Sequence, residues 1–322
     1  MPTVSVVIVS WNGEKFLEPC LSAVSAQTLK GYEVIVVDNG STDGSVESVR
    51  SHFAGVRLIE NKRNLGYAGG ANVGFRSATG EVLALLNQDT IPHPDWVAEL
   101  LAVLSGNEEI GIVGSKILNM DGVTLQHAGA YLPWPLVQGI HYGRGEKDEG
   151  QYGEPREVEY VTGAAMAIKR PVLEAIGLFD EGFFPGYFED VDLCFRARQA
   201  GYRVVYVPRA VVLHNESSSF EQTFFGKPYL VYRSRMRFIL KHYAPKQIAE
   251  EFLPAEMLCL KNMGAKELRA LASSCTEGLL MWPRIAWSLG RPLKRIEVET
   301  VIEALRALYN AAVQQELEIL RH

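Results

Sequence analysis

VSVVIVSWNG at residues 4–13 and EVIVVDNGSTDGS at 33–45 decide the fold. Each is a short apolar, β-branched run that stops abruptly at polar residues and glycine. Such a run reads as a strand buried on both faces, as in a parallel sheet. Between them, Glu14–Gln27 carries Phe16, Leu17, Leu21 and Val24 at helical spacing. Asp43–His52 reads as the next helix, Val56–Glu60 as a third strand, Tyr67–Ala78 as a small-residue helix and Glu81–Leu86 as a fourth strand. This alternation predicts right-handed βαβ units and a parallel sheet. Ligands of such sheets bind at the carboxyl ends of the strands. Those ends carry Ser10-Trp11-Asn12, Asp38-Asn39-Gly40-Ser41 and Asn87-Gln88-Asp89.

Further along, Pro92–Asp95 opens a helix to about Leu104, with proline in its first turn. Strands are expected at Ile110–Leu118, Val123–Tyr131, Val204–Val207 and Ala210–Leu213, with an apolar segment at Val161–Ile168 and a helix at Phe188–Gly201. The charged, glycine-containing stretch 143–159 reads as a mobile loop. From about Phe224 the pattern is mostly helical.

Composition bounds the class. The chain has 322 residues, 47% hydrophobic and 22% charged, which excludes a largely disordered chain. Its net charge of −6 argues against a nucleic-acid partner. Residues 1–220 carry 17 Lys/Arg against 27 Asp/Glu, and residues 221–322 carry 15 against 11. The two parts are expected to do different jobs. Cys20, Cys194, Cys259 and Cys275 form no zinc module, and a reducing, cytoplasmic setting is the simplest expectation. No run of 18 apolar residues exists, and Val4–Val9 is too short for a secretory leader. The chain is therefore expected in the cytoplasm, at most on a membrane face.

Each candidate residue has a structural reading beside a chemical one. Asp38 is either a turn carboxylate or an acceptor for a nucleotide base or ribose. Asp89 either caps the next helix or reaches a divalent cation, for which hard oxygen ligands suit Mg²⁺ or Mn²⁺. His214, at a strand end, is structural by default and a ligand if the fold brings it to Asp89. Glu189, Asp190 and Asp192 crowd one helix start. The helix dipole favours acids there, but three in four residues exceed what capping needs, and one is a candidate general base. Classical dinucleotide, P-loop and nucleophile-elbow motifs are absent.

As a set, these residues resemble the family 2 glycosyltransferases, which have the GT-A fold. The runs that carry the resemblance are SVVIVSWNG at 5–13, EVIVVDNGSTDGS at 33–45, NLGYAGGANVG at 64–74, LLNQDT at 85–90, FFPGYFEDVDLCFRARQAGY at 183–202 and VVLHNESSS at 211–219. It covers about residues 3–240 and leans toward the branch with rhamnosyltransferases and related bacterial polysaccharide enzymes. It implies an α/β fold, a Rossmann-like mixed sheet flanked by helices. Residues 1–225 would form the catalytic domain, with a nucleotide-binding half at about 1–105 and an acceptor half at about 106–225. Residues 226–322 would form a helical C-terminal region.

The resemblance also implies roles. Asp38 would contact the nucleotide base, with Ser10 and Asn12 nearby. Asn64, Gly66, Gly70 and Asn87 would line the nucleotide pocket. Asp89 matches the last residue of the family's D-x-D metal motif, and His214 a histidine that completes the shell around Mn²⁺ or Mg²⁺. Asp190 matches the catalytic base, with Glu189 orienting the acceptor or the base. Asn87 departs from the pattern, because it replaces the first aspartate of D-x-D with a neutral side chain. The implied reaction is inverting transfer of a sugar, such as rhamnose, from a dTDP- or UDP-sugar to a hydroxyl of a glycan or lipid-linked acceptor in cell-surface polysaccharide synthesis. A sugar nucleotidyltransferase and a catalytically silent sugar-nucleotide-binding subunit are the alternatives.

The basic stretch YLVYRSRMRFILKHY at 229–243 reads as a helix packed on its apolar face, as a diphosphate grip through Arg233, or as a lipid contact. Trp134 and His127 are candidate acceptor contacts. Met281–Trp287 has the composition of a membrane-interface segment and equally of a helix–helix contact.

Overall fold

The computed structural model describes residues 3–216, 226–290 and 294–321. The first strands are β1 (Val4–Ser10), β2 (Glu33–Asp38), β3 (Arg57–Glu60) and β4 (Val82–Asn87), separated by α1 (Glu14–Ser25), α2 (Ser45–His52) and α3 (Gly66–Ser77). There follow β5 (Thr90–Pro92), α4 (Trp96–Ser105), β6 (Ile110–Leu118), β7 (Leu125–His127), β8 (Ala130–Tyr131), β9 (Ile140–His141), β10 (Arg156–Glu157) and β11 (Ala165–Lys169). The helices α5 (Arg170–Ile176) and α6 (Glu189–Gln199) lead into the long strand β12 (Arg203–His214). The chain divides into two compact units, Met1–Tyr131 with Ile140–Ser217, and Leu132–Gly139 with Ser218–His322.

In the first unit the sheet order is β10-β12-β6-β11-β4-β1-β2-β3, with β5 on β12 and β7 on β6. β3, β2, β1 and β4 are parallel, as expected. β11 enters antiparallel between β4 and β6 and makes the sheet mixed. β12 runs parallel to β6. Two antiparallel steps restore direction, so β12 ends at the same edge of the sheet as β1, β2 and β4. The chain switches sides between β1 and β4, which opens a crevice at that edge.

Strand β1 is buried on both faces. Val4, Val6 and Ile8 pack with Leu17, Leu21, Val24 and Trp96 of α1 and α4. Val7 and Val9 meet α3 so closely that a Cβ at Gly74 or Gly70 would lie 2.3 Å or 2.6 Å from them. Those two glycines are explained by helix-on-sheet packing.

Two expectations are corrected. The strands expected at 204–207 and 210–213 are one strand whose register shifts between Val207 and Val211, where Pro208 needs no ladder partner. The stretch 143–159, expected to be mobile, is tied down. Lys116 Nζ bonds Asp148 Oδ2 at 2.7 Å, Leu125 N–H reaches Glu146 O, and Tyr206 Oη bonds Tyr152 O at 3.0 Å.

The second unit is helical, as expected for this region: α7 (Gly226–His242), α8 (Pro245–Gln247), a π-helical turn at Ile248–Phe252, α9 (Leu253–Cys259), α10 (Ala265–Ser288) and α11 (Arg295–Leu320). The domain boundary expected at 225/226 lies at the edge of residues 217–225, outside the described residues. Leu132–Gly139 joins this unit through side chains. Trp134 stacks on Tyr243 with ring centroids 4.3 Å apart and donates to Glu251, and Arg235 Nε donates to Leu136 O at 2.7 Å. Arg235 also forms a doubly hydrogen-bonded pair with Glu256, both buried. Removing one partner leaves a buried charge unpaired. Glu256→Ala is expected to destabilise this unit by about 3–5 kcal/mol, whereas Arg235→Met with Glu256→Leu costs far less. Urea unfolding of the three proteins checks both values.

Candidate active site

Four polar clusters meet at the carboxyl edge of the sheet. Ser10 ends β1, fully buried. Asp38 ends β2, and its Oδ2 accepts the N–H groups of Gly40 and Ser41, each at 3.0 Å. Asn12 has φ of 48° and ties the two loops together, donating its N–H to Ser41 Oγ at 2.9 Å and accepting from Thr42 N at 2.8 Å. Asn64 accepts from Gly66 N at 2.7 Å and opens α3. Gly66 has φ of 73°, and a Cβ there would strike Phe184 and Pro185. Gly66 thus serves close backbone approach, while Gly70 packs against the Val9 and Asn39 side chains.

Asp89 and His214 are brought together by β5. His214 stands opposite Thr90 in the β5–β12 ladder, and Asn215 N–H bonds the Asp89 carbonyl at 2.9 Å. The His214 Nε2 atom lies 3.3 Å from Asp89 Oδ1. Gln126 holds the imidazole from behind. Its Nε2 donates to His214 O at 2.8 Å, so its Oε1 faces His214 Nδ1 at 2.9 Å as an acceptor. The network assigns the proton to Nδ1. The Nε2 lone pair then faces a carboxylate oxygen, and two acceptors at that distance need a shared positive charge. The pair therefore fits a divalent cation. Among the described residues no group of three His, Cys, Asp or Glu could hold a metal.

Glu189 and Asp190 open α6 after Tyr187 and Phe188, whose φ values are 73° and 67°. Two bulky residues in the left-handed region are rare, roughly 1–3 kcal/mol of strain each, and they cluster at functional sites. Asp192, the third acid, is used structurally. It bonds Arg196 at 2.8 Å, and that guanidinium also reaches the Ile176 and Leu178 carbonyls. Asp190 accepts N–H groups from Gly163 and Val191, both at 2.8 Å. Glu189 is buried, and its Oε2 has no partner. Burial raises the pKa of both carboxyls, and the Asp190 charge pushes Glu189 further, well above the usual range. The backbone donors hold Asp190 down. The rise is the larger for Glu189, and the backbone donors favour the charge on Asp190.

Tyr67 links the clusters. Its phenol donates to Gly163 O, its N–H bonds Pro185 O at 2.9 Å, and its ionisation is pushed well upward by burial and by the charges of Glu189, Asp190 and Asp89. His127 is buried with Nδ1 2.9 Å from His141 Nδ1, and Tyr160 lies beside both rings. Trp134 and Arg233 belong to the second unit, where Arg233 bonds Glu277 at 2.7 Å. Of VVLHNESSS, Ser217–Ser219 lie outside the described residues. Among the described residues, the buried side-chain oxygens without a partner are Ser10 Oγ, Asp38 Oδ1, Asn87 Oδ1 and Glu189 Oε2. Native proteins satisfy nearly all such atoms, so four of them at one sheet edge point to a ligand.

Tyr67 and Gln126 were not singled out in the sequence, and Gln88 was named only as part of the strand-end cluster 87–89. Gln88 bonds both backbone groups of Trp11, at 3.1 and 3.3 Å. Its position beside Asp89 was the one available signal.

Comparison with known proteins bears on the family and the fold. Residues 5–177 match the family model described as glycosyl transferase family 2. The N-acetylglucosaminyl-diphospho-decaprenol L-rhamnosyltransferase of Mycobacterium tuberculosis is 29% identical over 237 residues, 66% of this chain and 76% of that protein. The uncharacterized protein y4gI of Sinorhizobium fredii is 31% identical over 228 residues; the match takes in 68% of this chain but spans only 25% of that protein. The mannosyltransferase PcManGT of Pyrobaculum calidifontis, solved in complex with GDP-Man and Mn²⁺, superposes with a TM-score of 0.54 at 20% identity, over 98% of this chain and 87% of that one. That likeness shows the fold, the GT-A fold expected above.

The raised pKa of Glu189 makes a stability prediction. The folded state keeps this proton to higher pH than the unfolded chain, where a glutamate titrates near ~4.3. Stability is thus lost as pH rises from about 4 toward the folded value. Glu189→Gln removes that loss. It is expected to melt above the wild type at pH ~8 and level with it near pH ~4. Parallel melting curves across the range would count against a buried, protonated Glu189.

Proposed function

This chain belongs to glycosyl transferase family 2, and from that premise we propose that it transfers a sugar from a nucleoside diphosphate sugar to a hydroxyl of a glycan or lipid-linked acceptor, with inversion at the anomeric carbon. The observation that carries this reading is a buried carboxylate, Asp190, held by the Gly163 N–H beside the end of β4, the strand end that also leads to the Asp89–His214 pair. The rhamnosyltransferase relative and the sequence pattern favour a rhamnosyl donor carried on dTDP, in the synthesis of a cell-surface polysaccharide.

On this reading Ser10 and Asp38 receive the nucleoside. Their unpartnered oxygens accept hydrogen bonds from base and ribose. Asp89 and His214 would hold Mn²⁺ or Mg²⁺, and Asn87 would turn its amide to the diphosphate. When bound, the cation supplies Lewis-acid neutralisation of the charge that grows on the departing diphosphate. Asp190 takes the proton from the acceptor hydroxyl as that oxygen attacks. Its raised pKa suits a base that must accept a proton near neutral pH. Glu189, neutral, adds no second negative charge beside it and is free to donate a hydrogen bond to the acceptor. A single carboxylate base and a single displacement invert the configuration.

Asp190→Asn is expected to fold normally and to lose about 10²–10⁴-fold in kcat, while KM for the donor stays near wild type. A thermal-shift panel of UDP, dTDP, GDP and CDP, each with and without Mn²⁺ or Mg²⁺, tests the donor side. A metal-dependent rise with dTDP is expected, since a ligand at 100 times its Kd adds about 2.7 kcal/mol. A nucleotide shift in a protein that turns over no donor with any acceptor would favour a silent binding subunit.

A further inference from the structure

We propose that Tyr67 is a positioning residue for the base: its phenol sets the Gly163 peptide that orients the Asp190 carboxylate. The inference rests on the reading of Asp190 as the group that takes the acceptor's proton. Residues 162–164 form the turn before β11 and precede its ladder pairs. Partners from elsewhere in the chain hold this turn. The Gly163 N–H donates to Asp190 Oδ2 at 2.8 Å, the Gly163 carbonyl accepts the Tyr67 phenol at 2.5 Å, and the Ala164 carbonyl accepts the Asn87 N–H at 2.9 Å. A carbonyl only accepts, so the phenol keeps its proton and aims it at this peptide. The ring also lies against Gly163 itself. A Cβ there would sit 3.1 Å from Tyr67 Cε1 and 3.2 Å from the phenol oxygen, so glycine is the residue that admits the ring.

The backbone of Tyr67 reaches the other side of the base. Its N–H donates to the Pro185 carbonyl at 2.9 Å, in the loop that leads through Tyr187 and Phe188 to Glu189 and Asp190. Tyr67 is the second residue of α3, so one helix start holds both segments that meet at Asp190. Each Asp190 oxygen carries one backbone N–H, from Gly163 on Oδ2 and from Val191 on Oδ1. Val191 is the next residue and moves with Asp190. The Gly163 contact ties the carboxylate to the sheet from outside its own helix. Losing the phenol takes that donor from the Gly163 carbonyl and lets the peptide turn. A displacement of about 1 Å at a reacting group can cost as much as about 10²-fold in rate.

Tyr67→Phe removes the hydroxyl and keeps the ring and the backbone bond to Pro185. Two measurements on the full chain test it. Amide hydrogen exchange read by NMR needs no turnover. The Gly163 N–H is expected to exchange about tenfold faster in Tyr67→Phe, with the amides of β1 unchanged. Release of dTDP from dTDP-rhamnose with Mn²⁺, a glycan or water serving as acceptor, reads the consequence. Here kcat is expected to fall about tenfold while KM for the donor holds. In an Asp190→Asn background the same change is expected to cost less than about twofold, because the group it positions is gone. Gly163→Ala keeps the hydroxyl but pushes the ring aside, on a backbone outside the left-handed region, and is expected to lower kcat in the same way. Wild-type Gly163 exchange in Tyr67→Phe would overturn the proposal, and so would equal losses from Tyr67→Phe with and without Asp190. Near-wild-type transfer by Asp190→Asn would overturn the base reading and the proposal with it.

Discussion

His214 stands opposite Thr90 in the three-residue ladder of β5 on β12, and the candidate site depends on that pairing. It folds the segment after β4 back onto a strand from far along the chain. The Asp89 backbone is then pinned by Asn215, and its carboxylate faces the imidazole. β12 can reach this point because it runs parallel to β6 and carries its register shift at Val207/Val211, upstream of the site. β7 lies on the other side of β6 and delivers Gln126, which clamps the histidine by backbone and ring together. Lose the ladder, and the two ligand-type groups have no other reason to meet.

Much of this frame is legible in the sequence, and the illegible part has a physical cause. β1, β2 and β4 announce themselves because strands covered on both faces are unbroken apolar runs. β11 does not announce its direction, because Ala-Met-Ala-Ile-Lys packs equally well either way. The order of 143–159 was hidden because its anchors are remote partners, Lys116 and Tyr206, while composition reports only local preference. Positions such as Asp38, Asp89, Asp190 and His214 stand out because charge or imidazole at a strand end or helix start is conspicuous. Tyr67 and Gln126 were silent for the opposite reason. An aromatic in a small-residue helix and an amide in a short strand look ordinary until the fold supplies Gly163 and His214 as partners. The glycines of α3 carry a similar lesson, since a glycine demanded by the approach of a valine looks the same in a sequence as one demanded by a ligand.

The electrostatics of the site bear on Asn87. Asp89, Glu189 and Asp190 all act on the Tyr67 phenol, so three carboxyls share one poorly hydrated region. Carboxylates so placed cannot all be ionised cheaply, and here the strain is relieved by Glu189 keeping its proton. An aspartate at 87, where the family pattern has one, would add a fourth carboxyl at the end of β4, next to Asp89. It would strengthen the hold on a cation, but without one it would add a further like charge to that region. A neutral amide with a buried, unpartnered oxygen would give up part of that hold without adding a further like charge beside Asp190. On the proposed roles the substitution gives up part of the hold on a cation and spares the site a further carboxyl, which is consistent with a working enzyme as much as with a silent one.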